Sequence, residues 1–365
     1  MIHDFTAIGP QRVISGIGAL ARLPAVLDSV NARRAMVVTG STLAGKTDLV
    51  SRVEAAAGPA HAGTFSGCGQ HVPASTVANA VEHAARLKAD ALIVFGGGSP
   101  IDTGKMIVYR QIEAGAGPIP QINIPTTLSA GEFTHAAGMT DEETRVKNIF
   151  AHKGIQPRVV IYDPELTVAT PPQLWISTGV KALDHAVEGL WWPNCHPYLH
   201  SLRLGAIADL QQYLPASADP RELEARLACM HAAWKSIAGL LSADNVGFRL
   251  SHPLGHQIGA RWDIPHGVTS CIVLPAACRF LLPRTEAAQA GIASAMGMPG
   301  SSAEEAINRF LDRLDVPRRL SDCGATRDEI PLVAEAVANE LAMLEAPDRD
   351  LATKASLSEL LKSVW

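Results

Sequence analysis

Four histidines in the second half of this 365-residue chain stand where they could share one chemistry. His252 and His256 are four apart in Ser251-His252-Pro253-Leu254-Gly255-His256, so a helix places both on one face. His185 lies in Lys181-Ala182-Leu183-Asp184-His185-Ala186-Val187-Glu188, and His266 follows Ile264-Pro265 at an expected loop or helix start. Converging imidazoles suit iron or zinc, which would polarise a carbonyl or alcohol oxygen. Without a metal, the same groups can donate a proton. One such histidine alone reads as structural; four, placed near glycine and proline in one half of the chain, point to a site.

A second cluster lies in the first half. The apolar run Ala91-Leu92-Ile93-Val94-Phe95 leads into Gly96-Gly97-Gly98-Ser99-Pro100-Ile101-Asp102. Strand, glycine turn and helix is a phosphate-site layout, because glycine lets the backbone approach a pyrophosphate and a helix start offers free N–H groups. Ser99 is expected to cap that helix, with Pro100 at its first position and Asp102 as a capping-box acid. The third glycine of the dinucleotide fingerprint would fall on Ile101, and Met106 follows Lys105 where a Walker motif needs Ser or Thr. The turn by itself therefore fits either a bound phosphate or a plain tight turn, and Asp102 and Lys105 either a site or simple capping and surface charges.

The elements that must position these groups change character along the chain. Ala35-Met36-Val37-Val38, Ala91 to Phe95, Ile122-Asn123-Ile124 and Val159-Val160-Ile161-Tyr162 read as buried strands without polar alternation. Helical patterns lie between them, such as Ser75 to Leu87 with Ser75 as N-cap. Alternation of this kind implies a parallel sheet with right-handed crossovers. After Thr170-Pro171-Pro172 come long helical periods: Trp175 to Leu190, His200 to Tyr213, Arg221 to Ser242 and Val246 to Gly259. The expected organisation is an α/β dinucleotide-binding domain over 1–168 and an all-α catalytic domain over 169–365.

Composition bounds the rest. Hydrophobic residues make up 47% and charged residues 18%, an ordinary globular balance. A net charge of -5 and a pI near 6.2 give no basic stripe for a nucleic acid. Apolar runs are broken before about 18 residues, so no membrane span is expected. The N-terminus Met1-Ile2-His3-Asp4-Phe5 lacks a signal-peptide pattern, which makes the expected location cytoplasmic. The six cysteines contain no C-x-x-C pair; Cys271 and Cys278 read as buried packing residues.

Taken together, Gly96 to Asp102, Pro125-Thr126-Thr127, Asp163-Pro164, Gly179 to Glu188 and His252 to Gly267 make the chain resemble the iron-containing (group III) alcohol dehydrogenase family. The resemblance runs from Phe5 to about Pro275. It implies a dehydroquinate synthase-like architecture, with hydride transfer in a cleft between the two domains. The family's metal set is an Asp and a His four apart on one helix plus two later histidines. The histidines fall on His185, His252 and His266, and His256 on an extra active-site histidine. The aspartate position is Lys181. A cation there would repel a divalent ion and lower the proton affinity of His185; the adjacent Asp184 would leave the helix about 100° away.

The maleylacetate reductase branch of the family also lacks that aspartate, and its segment after Pro-Thr-Thr has the shorter length seen in Leu128-Ser129-Ala130-Gly131. The resemblance thus implies an NAD(P)H-dependent reductase of a small oxo acid, working without metal. In that reading Lys181 stabilises an alkoxide or pairs with a substrate carboxylate, and His252, His256 or His266 supplies the proton. Two alternatives are an Fe- or Zn-dependent alcohol dehydrogenase with His185, His252 and His266 as ligands, and a dehydroquinate synthase-type lyase. Expected cofactor contacts are Gly97, Gly98, Ser99, Asp102, Thr126, Thr127, Leu128 and Lys147. Gly40 stands where NAD-specific relatives carry an acid for the ribose 2′-OH, so both NAD and NADP fit. A homodimer through an N-terminal ribbon spanning Ile2 to Ile14 is also expected.

Overall fold

The computed structural model describes residues 9–144, 146–193, 195–240 and 248–365. They form two compact units, one of 9–170 with Pro220–Met230 and one of 171–219 with the described residues from His231 to Trp365. The short Pro220–Met230 stretch thus groups with the first unit although it lies within the helical half of the sequence.

The first unit is built on a parallel sheet. Its strands are β1 (Arg12–Ser15), β2 (Ala35–Gly40), β3 (His61–Cys68), β4 (Ala91–Gly96), β5 (Gln121–Pro125) and, after a hairpin of β6 (Ala136–Asp141) and β7 (Val146–Ala151), β8 (Val159–Tyr162). The spatial order is β1-β8-β5-β4-β2-β3, with every pair parallel. The helices are α1 (Leu23–Ser29), α2 (Ser41–Lys46), α3 (Leu49–Ala57), α4 (Ala74–Leu87) and α5 (Gly98–Glu113).

The unbroken apolar strands follow from this layering. Side chains alternate between faces, so Ala35, Val37, Ile93, Phe95, Ile122 and Ile124 pack with Leu23, Val26 and Val53 on one side. Met36, Val38, Leu92 and Val94 pack with Val77, Ala80, Met106 and Ile107 on the other. Helix α5 lies so close to the sheet that a Cβ on Gly104 would stand 2.5 Å from Val94 Cγ2. Helix α4 begins at Ala74 with Pro73 as its N-cap, so Ser75 does not cap it; the Ser75 N–H is instead held by the Glu142 carboxylate at 2.9 Å. Asp163 ties the ends of the unit together by accepting from the Gly18 and Leu20 N–H groups at 3.2 and 2.9 Å.

The rest of the chain is helical: α6 (Pro172–Leu190), α7 (Pro197–Tyr213), α8 (Leu223–Ile237), α9 (Ser251–Trp262), α10 (His266–Ala295), α11 (Ala303–Leu311), α12 (Ile330–Met343) and α13 (Lys354–Ser363). No strand follows β8 among the described residues. Helix α9 starts at Ser251, later than the sequence pattern from Val246 suggests; Val246 itself lies outside the described residues. Helix α10 is 30 residues long and, by length and composition alone, apolar enough to cross a membrane. That apolar stretch is 67% buried within the fold, packed against α6, α9 and α11. Its start crosses α6 at Gly267, where a Cβ would stand 2.8 Å from the Ser177 backbone. Cys271 and Cys278 are buried along it.

Candidate active site

In the first unit the order of strands reverses between β2 and β4: β3 lies to one side of β2, and the chain then crosses back to place β4 on the other. Ligands of open α/β sheets bind outside the carboxyl ends of the strands at such a switch point. Gly40 ends β2, the glycine turn ends β4, and Thr126-Thr127-Leu128 follow β5, the next strand over. The sheet therefore brings these separate stretches to one edge. Thr126 N–H bonds Gly96 O at 3.0 Å, while Thr170 Oγ1 donates to Thr126 O at 2.8 Å.

The turn is closed tightly. Gly96 has φ +144°, open to glycine rather than to other residues. A Cβ on Gly97 would stand 2.9 Å from Thr127 Cγ2, and one on Gly98 3.4 Å from Ser129 Oγ. Gly97, not Ser99, is the N-cap of α5, and no side chain caps it. Helix α5 starts at Gly98, two residues before Pro100. The first-turn N–H groups of this 16-residue helix are thus left without a side-chain cap, a layout that holds an anion.

Asp102 and Lys105 depart from the capping and surface readings. Asp102 Oδ2 accepts from the Gly138 N–H at 3.1 Å, fastening α5 to the hairpin that carries Lys147. Lys105 is fully buried, its Nζ donating to Gly131 O (2.5 Å), Ala136 O (2.8 Å) and Thr134 Oγ1 (2.9 Å). Burial lowers its pKa to about 8, against the pull of Asp102 and Glu132. Glu132 is buried too; burial raises it to about 7, and it accepts from Tyr162 OH at 2.7 Å. Leu128 is buried, and Lys147 lies exposed on β7.

In the helical unit, α6, α9 and the first turn of α10 bring all four histidines together. Ring centroids lie 4.8 Å apart for His185 and His252, 5.0 Å for His252 and His266, 5.2 Å for His256 and His266, and 6.2 Å for His252 and His256. Phe248 stacks on His252 at 3.6 Å. Gly255 makes room for this convergence, since a Cβ there would meet the His266 ring at 2.8 Å.

Beneath the rings lies a network that sequence reasoning did not find. Glu188 Oε1 accepts from the Leu250 and Ser251 N–H groups at 2.6 Å each, and Oε2 from His252 N–H at 3.3 Å. A carboxylate thus sits at the N-terminus of α9, where the helix dipole favours it. Glu188 Oε2 also pairs with His252 Nδ1 at 3.0 Å. Asp184 Oδ2 accepts from Ser251 Oγ (2.8 Å) and Ser270 Oγ (2.7 Å). The only sequence signal was two acids four apart in an apolar helix, a spacing that puts both on one face. His256 Nδ1 meets Glu340 Oε1 on α12 at 2.7 Å, and nothing in the sequence announced that partner.

Electrostatics separate these groups. His185 and His252 are held well below the usual imidazole range, first by burial and then by neighbouring histidines and the Lys181 ammonium. Asp184 is pushed well up by burial and by the charge of Glu188; burial raises Glu188 to about 7, opposed by its backbone hydrogen bonds. Lys181, one turn before His185 on α6, is only half-buried.

Comparison with known proteins gives this geometry its context. Residues 10–164 match the model for iron-containing alcohol dehydrogenase, and 175–365 the model for the C-terminal part of the same family. The maleylacetate reductase of Burkholderia cepacia is 34% identical over 89% of this chain and 88% of its own length. That of Sphingobium indicum is 32% identical over 90% of both. The crystal structure of maleylacetate reductase from Rhizobium sp. strain MTP-10005 superposes with a TM-score of 0.85 at 28% identity, covering 100% of this chain and 99% of that one. The chain belongs to the iron-containing alcohol dehydrogenase family. It is an oxidoreductase.

Within that family, this chain's donor set fits a metal incompletely. His252 Nε2 and His185 Nδ1 are buried with no hydrogen-bond partner among the described residues, which leaves imidazole nitrogens open to a ligand. Lys181, one turn before His185, stands where the family carries an acid, and its charge reaches both rings. The neighbouring acid Asp184 turns its Oδ2 to Ser251 and Ser270. Asp184, Glu188 and His252 do bring ligand atoms within 4.8 Å of one another. Asp184 Oδ2 and both Glu188 oxygens already accept N–H or O–H hydrogens, while Asp184 Oδ1 is buried with no partner among the described residues, so a cation there would compete with the bonds that start α9.

Proposed function

We propose that this oxidoreductase is an NAD(P)H-dependent reductase of a small oxo acid of the maleylacetate kind, working without metal. The observation that carries the proposal is Lys181: a cation stands one turn before His185, at the family's metal-acid position, and adds its charge to the burial that depresses the basicity of two facing imidazoles. A permanent charge there does the electrostatic work of a Lewis acid without one, stabilising negative charge on the substrate oxygen or holding a substrate carboxylate. The names of the similar reductases support the substrate class.

The residues at the carboxyl ends of β2, β4 and β5 fit a nicotinamide dinucleotide: Gly97, Gly98 and Ser99 for the pyrophosphate, Thr126, Thr127 and Leu128 beside it. A bound reduced nicotinamide supplies hydride. Gly40 offers no carboxylate to repel a 2′-phosphate, so NADPH is accepted as well as NADH. The proton comes from His256, whose side chain is 33% exposed, rather than from the enclosed His185 and His252. His266 stacks on His256 and keeps its ring upright over the site. The chain acts as a homodimer: among the described residues β1 is an edge strand of the sheet, a rim that a second copy can extend. Its preceding residues Ile2–Phe5 lie outside the described residues.

The test is a screen of maleylacetate, other 2-oxo and 4-oxo acids and simple aldehydes, with NADH and NADPH, with and without chelator. Protein purified without chelator goes in parallel to elemental analysis. Oxo-acid reduction untouched by chelator is the expected result. A second reading, a metal-dependent alcohol dehydrogenase, is favoured by the open nitrogens of His185 and His252; stoichiometric iron or zinc with chelator-sensitive aldehyde reduction would establish it instead. Net consumption of NAD(P)H also disposes of the lyase alternative.

A further inference from the structure

Two of the four histidines are each fastened through Nδ1 to a glutamate, and the two pairs differ in place and consequence. His252 and Glu188 are both fully enclosed. His256 and Glu340 sit at the rim, with side chains 33% and 14% exposed. Glu340 comes from α12, far along the chain, and both of its oxygens are committed: Oε1 to His256 Nδ1 at 2.7 Å and Oε2 to the Gln257 side-chain N–H at 2.6 Å. A carboxylate only accepts, so the bridging hydrogen belongs to His256 Nδ1.

We propose that Glu340 is a positioning residue: by holding the hydrogen on His256 Nδ1 it presents Nε2 as the atom that gives and regains the proton of the reduction. The inference rests on His256 being the proton donor of the reductase proposed above. With hydride supplied by the reduced nicotinamide, the electron pair displaced from the carbonyl or activated alkene takes the proton from His256 Nε2. The imidazole is left neutral, with Nδ1–H still bonded to Glu340, and Nε2 takes its next proton from solvent, which the half-open ring reaches. His252 cannot serve in this way, because its ring is enclosed, away from solvent. Carboxylates that orient a working imidazole are worth about 10–100-fold in activity in comparable arrangements.

The experiment uses the full chain labelled with ¹⁵N-histidine, with long-range ¹H–¹⁵N correlation reading each ring's tautomer and His256→Gln assigning the signal. His256 is expected as the Nδ1–H form at a pH where it is neutral. In Glu340→Ala it shifts towards the Nε2–H form that free imidazole prefers, and kcat falls about 10–100-fold with KM for the nicotinamide unchanged. Glu340→Gln, which keeps an acceptor for Nδ1–H, retains the tautomer and recovers part of kcat. Its unfolding temperature and that of Glu340→Ala show that both fold. An unchanged tautomer in Glu340→Ala overturns the proposal. So does a kcat within twofold of the parent when His256→Gln has lost it. If His256→Gln itself keeps full kcat, the proton-donor reading falls and the role assigned to Glu340 falls with it.

Discussion

Helix α5 of the first unit and helix α6 of the second each carry a lysine near the middle, and the protein treats the two in opposite ways. Lys105, inside α5, is enclosed, and its ammonium is spent on Gly131 O, Ala136 O and Thr134 Oγ1. Those bonds fasten the segment after Thr126-Thr127-Leu128 to the helix whose N-terminus faces the expected phosphate. Lys181, on α6, keeps its side chain at the edge of the histidine cluster, and its charge is felt by His185, His252 and Asp184. One cation builds the frame beside the glycine turn; the other charges the histidine cluster. The difference comes from surroundings alone, since both lie in the middle of apolar helices.

Replacing each lysine by methionine breaks this comparison most directly. Lys181→Met is expected to lower kcat/KM by about 10²-fold, the scale of losing one preorganised electrostatic partner. It should leave the unfolding temperature and nicotinamide affinity close to the parent's. Lys105→Met should do the reverse in kind. Two carbonyls and a hydroxyl lose their donor in a buried place, at a cost on the order of 1–3 kcal/mol for each group left unpaired. Unfolding would register that loss before turnover did. Equal behaviour of the two variants in both measurements would erase the distinction.

A smaller effect tests the enclosed half through pH. Glu132 rises to about 7 in the folded chain against an ordinary value near 4.5, so between those values the folded state holds the proton and the unfolded state does not. Its contribution to stability therefore decreases as pH rises from about 4.5 to 7. Glu132→Gln should remove that part of the slope, seen as a flatter urea-midpoint profile over the same window than the parent's. The smallest effect is on cofactor choice. A Cβ on Gly40 meets only Cys68 O, at 3.7 Å, and its φ of -91° suits any residue. Gly40→Asp should fold normally and shift preference from NADPH towards NADH by roughly tenfold, about one 1.4 kcal/mol step, measured as the ratio of kcat/KM values.

Much of this protein could be read from residue order. The four buried strand runs, the glycine turn between β4 and α5, and the i,i+4 pair His252 and His256 depend on local chemistry and periodicity, which the sequence carries in full. So does Lys181, because its place relative to His185 is set by helical spacing alone. Burial and long-range pairing are another matter. Lys105 and Asp102 look like surface or capping charges until β6 and the turn before it fold over α5. Ser99 has the right type for an N-cap but loses the role because the helix starts two residues before Pro100, at Gly98, with Gly97 as its N-cap. Glu188 beneath His252 and Glu340 beside His256 lie 64 and 84 residues away from their partners. No local pattern encodes such a distance; only the packing of α6, α9 and α12 decides which carboxylate each imidazole meets, and so which of four similar histidines is free to move a proton.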